Sequence, residues 1–252
     1  MTGLTLSLEG RRALVTGGGS GIGAASARAL AAAGADVTVA DRDAGAAGRV
    51  AEEVGGTPWT VDLADTAALE ELRLDTDVLV NCAGIQRIHP LEEFPAEEWR
   101  LIHRIMLEAP FLLTRAVLPG MYERGFGRII NVSSAHGLRA SPFKSAYVAA
   151  KHGLQGLTKV TALEVGPRGV TATSVNPGYV RTPLVEQQVA DQAASRGISE
   201  DEVLEQVFLA NSAVPRMAEP EEVGSLVVWL ASDAAGVANG SSFSLDGGWT
   251  AR

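Results

Sequence analysis

Tyr147 and Lys151 stand four positions apart in a stretch, 145–165, whose composition predicts a helix, so the phenol and the ammonium share one helical face. A free phenol titrates near pH 10. A neighbouring ammonium favours the phenolate, and the pair then suits removal of a proton from an alcohol as hydride leaves the same carbon. Ser134 follows a strand predicted over 127–132 and can hydrogen-bond that substrate oxygen. Alone, a Tyr-x-x-x-Lys spacing is no more than a surface pair. It gains its meaning from what precedes it in the chain.

What precedes it is a glycine turn, residues 16–23, between a strand predicted over 12–16 and an Ala-rich helix over 22–33. Gly17, Gly21 and Gly23 let the backbone turn tightly and approach a pyrophosphate, while Ser20 and Ile22 open a helix whose first N–H groups favour an anion. No Lys-Ser/Thr follows the glycines, so the turn is not a P-loop. Asp41 follows a second strand, 36–40, where a carboxylate accepts from adenosine ribose hydroxyls and repels a 2′-phosphate. NAD is therefore expected rather than NADP, with Arg42 read as a solvated charge. Asp62 and Leu63, at the end of a third strand over 57–62, can reach the adenine. Asn81, Cys82, Ala83 and Gly84 leave a fourth strand, 77–81, as small residues where a cofactor passes closely. Cys82 reads as a small buried hydrophobe, with no base paired to it.

The elements that must position these groups alternate regularly. Further strands are predicted over 170–175 and 243–245, and helices over 43–54, 66–73, 96–124 and 221–232. This alternation predicts an α/β doubly wound Rossmann fold, a mostly parallel seven-stranded sheet with helices on both faces, in one domain over 1–252. A polar insertion, about 179–215, breaks the rhythm with helix-prone runs at 185–194 and 200–210. It emerges where ligands sit in such sheets and is expected to form a lid. A formal charge of −9 and a pI near 5.0 argue against a nucleic-acid or anionic-membrane partner. The lone cysteine, the lack of an apolar run near 18 residues and the absence of a signal-peptide pattern lead us to expect a cytoplasmic protein. No metal-ligand spacing is present, so no metal is expected.

Taken together, the 16–23 turn, Asn81-Cys82-Ala83-Gly84, Ser134, Tyr147-x-x-x-Lys151 and Pro177-Gly178 resemble the short-chain dehydrogenase/reductase family over essentially the whole chain. The resemblance implies that Lys151 also binds the nicotinamide ribose and that Thr182 contacts the carboxamide, with Pro177, Gly178 and Val180 alongside. Within the family, the runs around Gln86, His136, Lys144 and Thr182–Gln188, and Asp246-Gly247-Gly248-Trp249, are similar to those of members acting on small hydroxy acids. By that likeness Gln86, His136, Lys144 and Gln188 grip the substrate carboxylate. All four can donate, and Lys144 adds charge. Gln188 lies on the insertion, so the lid closes when the anion arrives. Trp249 supplies an apolar wall, from this subunit or a neighbour, and Tyr179 stands where these members tend to have tryptophan. Ala149, Gly153, Gly156 and Val160 form a small-residue stripe on the catalytic helix, and the family implies a homotetramer.

One position departs from the family. Met106 occupies the place of a common asparagine in the helix after the fourth strand, and a thioether cannot position a relay water as an amide does. Backbone carbonyls freed near Pro110 offer another proton path. Two alternatives stay open: a 3-oxoacyl or sugar-alcohol reductase on the same scaffold, and a non-catalytic dinucleotide-binding protein.

Overall fold

The computed structural model describes residues 6–251, with all their side chains except those of 184, 187, 191–192 and 194–196. In chain order the elements are β1 Arg12–Thr16, α1 Gly21–Ala32, β2 Asp36–Asp41, α2 Ala44–Val54, β3 Thr57–Thr60, α3 Thr66–Leu69, β4 Val78–Asn81, α4 Ala96–His103, α5 Ala109–Arg124, β5 Gly127–Val132, α6 Ser145–Val165, β6 Val170–Pro177, α7 Pro183–Arg196, α8 Glu200–Val203, α9 Pro220–Ala231 and β7 Ser242–Leu245. The seven strands form one sheet of order β3-β2-β1-β4-β5-β6-β7, parallel at every pairing. The strand order reverses between β1 and β4, which opens a crevice at their carboxyl ends.

Burial follows from this order. β4, β5 and β6 are covered on both faces and buried along their whole length, polar residues such as Asn131, Ser174 and Asn176 included. β3, at the edge, is largely exposed and carries Pro58, which cannot donate to a ladder. Side chains alternate between two cores: Ala13, Val15, Val78 and Val80 pack under α1 and α9, while Leu14 and Leu79 pack under α5 and α6.

The long helix predicted over 96–124 is not continuous. Between α4 and α5 the chain widens into a π turn over Arg104–Glu108. Pro110 is the physical reason at hand: it has no N–H for the carbonyl four residues earlier, that of Met106, so the regular ladder cannot run through. Met106 itself is almost wholly buried, with Ile102, Ile105, Ala146 and Ala150, beside Tyr147. The insertion holds α7 and α8, and packs around its own small apolar cluster of Val189, Ala193, Val203 and Phe208. Tyr179 rests on Phe208, with ring centres 4.4 Å apart.

Candidate active site

A cavity of about 320 Å³ lies at the β1/β4 crevice. Of the residues predicted to hold a cofactor, Gly17, Ser20, Gly21, Ile22, Gly23, Asp41, Asp62, Leu63, Ala83, Gly84, Tyr147, Lys151 and Thr182 line it. The glycine turn is compact for local reasons. Gly17 has φ +63° and lies so close to the β4 exit that a Cβ there would stand 2.8 Å from Ala83 Cα. A Cβ on Gly23 would overlap the Gly17 carbonyl. Ser20 caps α1 with no side-chain hydrogen bond, and the first turn holds no acidic residue, so free backbone N–H groups face the cavity. At the far end, Asp41 accepts from the N–H of Gly19 at 3.0 Å and of Asp43 at 3.1 Å. Glycine turn, uncapped helix and terminal carboxylate together fit a dinucleotide.

Some predicted contacts lie elsewhere. Asn81 is buried behind the cavity and donates to Asn131 at 2.8 Å, which in turn donates to Thr158. It ties β4 to β5 and α6. Pro177 is buried at the end of β6, and Val180 is 3% exposed, bridged to Ala218. Gly178 lines a second, smaller hollow with His136, Tyr179 and Trp249. Asp62 lies beyond the end of β3 rather than in it, and its carboxylate accepts from Ala64 N–H. Cys82 lines the cavity with the rest of its run, and Ile105, Val132 and Ser133 line it as residues that the sequence reading missed. Val132 and Ser133 sit at the carboxyl end of β5, and that position was the available signal. Burial pushes the Cys82 thiol up to about 12, which makes it an inert hydrophobe.

Of the three predicted catalytic side chains, Tyr147 and Lys151 line the cavity, and Ser134 follows the lining residue Ser133. Ser134 Oγ accepts from His136 N–H at 3.1 Å, and its contact with Tyr147 lowers the phenol's affinity for its proton. Lys151 Nζ donates to the Val132 carbonyl at 2.7 Å and lies 5.7 Å from the centre of the Tyr147 ring. Burial brings its pKa down to about 8. The Tyr147 phenol is nevertheless raised above 10, because burial outweighs the Ser134 hydrogen bond. The lowering expected from Lys151 is therefore corrected: burial dominates, and the Lys151 ammonium is engaged by the Val132 carbonyl.

The predicted carboxylate grip is partly assembled. His136 is buried, bonded through Nε2 to Ser141 at 3.0 Å, and held neutral with a pKa near 4 by burial and by Lys144. Its ring faces Trp249 at 5.3 Å and Tyr147 at 6.1 Å, so Trp249 forms this wall from within the same chain. Lys144 is half-buried, 5.8 Å from the Tyr179 ring centre, and burial lowers its pKa. Among the described residues no carboxylate pairs with it. Gln86 holds a buried Nε2 with no partner. Gln188 is half-buried on α7, and among the described residues no hydrogen bond joins it to the other three.

The comparisons agree with this geometry. The short chain dehydrogenase family model matches residues 11–193. A D-beta-hydroxybutyrate dehydrogenase of Rhizobium meliloti is 47% identical over 217 residues, covering 85% of this chain and 84% of its own. Another, from Cupriavidus necator, is 43% identical over 97% of this chain and all of its own. Among solved structures, a putative 2-deoxy-D-gluconate 3-dehydrogenase from Agrobacterium tumefaciens with bound NADP superposes with a TM-score of 0.86 at 34% identity, covering 98% of this chain and 99% of that one. The chain belongs to the short-chain dehydrogenase family. It is a dehydrogenase with a dinucleotide cofactor and a small-molecule substrate.

Proposed function

We propose that the protein interconverts (R)-3-hydroxybutyrate and acetoacetate with NAD. The observation that carries this reading is Lys144: a half-buried ammonium beside Tyr179 and His136, with no carboxylate partner among the described residues. A charge held in that state favours an anionic ligand. The unpaired Gln86 Nε2 and the neighbouring His136 add donors of the kind a carboxylate takes up. The D-beta-hydroxybutyrate dehydrogenases above, at 43–47% identity, support the same substrate. NAD is favoured by the Asp41 carboxylate at the ribose end of the cavity, although the gluconate-type neighbour above holds NADP and Arg42 lines the same wall.

When bound, the nicotinamide supplies the hydride acceptor. Ser134 orients the substrate hydroxyl, Tyr147 Oη takes its proton as the carbonyl forms, and Lys151 holds positive charge beside the phenolate. In the reverse direction the raised phenol pKa suits Tyr147 as a proton donor. The insertion from 179 to 215 would serve as a lid over a single domain, delivering Gln188 to the anion. Val160 and Leu163 leave apolar surface on α6 beside the small-residue stripe, which suits pairing of this helix between subunits of a homotetramer in the cytoplasm.

Formation of NADH with (R)-3-hydroxybutyrate, its (S) enantiomer and neutral secondary alcohols tests the proposal. Preference for the (R) acid is expected. Preference for neutral alcohols, or no turnover at all, refutes it.

A further inference from the structure

The face of α6 that meets the sheet carries a polar stripe where an apolar one is usual: Lys151, Gln155 and Thr158 all lie against it, and all are buried. Gln155 is one helical turn beyond Lys151. Its Oε1 accepts from Ser174 Oγ at 2.7 Å and from Ser242 Oγ at 2.8 Å, and its Nε2 donates to Asn176 Oδ1. Asn176 closes the cluster with a 3.5 Å bond to Ser174. Beside it, Ser133 Oγ donates to the Lys151 carbonyl at 3.2 Å. The turn that carries His136 lies on top, since a Cβ on Gly137 would overlap Ser133 Oγ and stand 3.3 Å from Gln155 Nε2.

The partners of Gln155 lead to separate walls of the site. Asn176 directly precedes Pro177-Gly178, the stem of the insertion, and Ser242 begins the strand that leads to Asp246 and Trp249. The next polar contact along α6, Thr158, is bonded to Asn131 on β5. Apolar packing is non-directional and lets a helix slip or rotate at little penalty, whereas a carboxamide with several fixed partners has one register. Gln155 has no contact with the cavity, so it acts only through what it holds.

We propose that Gln155 is a positioning residue. It sets the axial and rotational register of the catalytic helix, and with it the placement of Tyr147 and Lys151 against Ser134, the stem of the insertion and the Trp249 wall. This rests on the reading of Tyr147 as the proton-handling group, so the test includes a measurement that needs no turnover. Gln155→Met keeps the volume but takes the carboxamide partner from the Ser174 and Ser242 hydroxyls and from Asn176 Oδ1, and is expected to unfold at lower temperature. A second variant, Gln155→Met with Ser174→Ala, Asn176→Leu and Ser242→Ala, makes the cluster apolar throughout and is expected to regain most of that stability.

The readouts are the Tyr147 phenol titration at 295 nm, with Tyr147→Phe as the blank, and the pH dependence of kcat. In both variants a looser register weakens the Ser134–Tyr147 contact. The phenol pKa then rises further, the alkaline-going limb of kcat moves with it, and kcat falls on the order of 100-fold, the scale of an ångström-sized misplacement. Titration and profile that coincide with the parent protein's once stability is restored would overturn the proposal and leave the cluster as packing. A parent protein without turnover would refute the proposed reaction, while the titration would still decide the role of Gln155.

Discussion

Replacing Lys144 by alanine removes the cation that the proposed reaction sets against the substrate carboxylate, and the consequence can be worked from its surroundings. A carboxylate about 4 Å from an ammonium at an effective dielectric constant near 20 gains about 4 kcal/mol. Lys144 is half-buried, so solvent screening reduces this to roughly 2 kcal/mol, or about 30-fold in KM for a hydroxy acid. Stability should not fall with it. Burial lowers the Lys144 pKa, so the folded chain favours the neutral amine, and the charged form is a burden on the fold below that pKa that is relieved as pH rises through it. At neutral pH the Lys144→Ala protein should therefore melt no lower than the parent. The parent's KM for 3-hydroxybutyrate should climb as pH rises through the lowered Lys144 pKa, and that climb should vanish in the variant. Steady-state kinetics at saturating NAD, comparing 3-hydroxybutyrate with its methyl ester, measure both effects. Equal changes for acid and ester would refute the carboxylate contact, because the ester presents no charge for Lys144 to hold.

Two further outcomes follow from the cofactor wall and the π turn. Asp41→Asn keeps an acceptor for the Gly19 N–H but removes the charge, so the ratio of Kd for NADP to Kd for NAD should fall about 10-fold or more, read by nucleotide fluorescence titration. An unchanged ratio would remove Asp41 as the selector. Met106→Asn buries an amide where a thioether now packs 3.8 Å from the position of a Gly84 Cβ, so denaturant melts should show a loss of about 1–3 kcal/mol. If protons leave by backbone carbonyls and water, kcat and its pH profile should be unaltered; a faster enzyme would mean that the parent lacks an adequate path.

The sequence alone determined the elements and most of the residues that line the crevice, because those signals are local. The β5 and α6 boundaries agree with expectation to the residue, since a bounded apolar run and a 3.6-residue pattern are written in neighbouring positions. The glycine turn was legible for the same reason: its glycines are neighbours in the chain, and Gly17 takes a positive φ that glycine adopts without steric cost. The break at 104–108 was less so, because Pro110 can equally sit in a helix's first turn, and only the register of the packed helices shows which ladder it interrupts. The tertiary structure decided what depends on distant partners. It turned Asn81 towards Asn131 and away from the cavity, and brought Trp249 to His136 within one chain. It raised the Tyr147 phenol where the Tyr-x-x-x-Lys spacing predicted a lowering. Burial is the sum of every element packed around a group, so no spacing within one helix reports it. Gln155 shows this most clearly: a glutamine on the same face as Lys151 is visible in the sequence, but its partners lie 19 to 87 residues away.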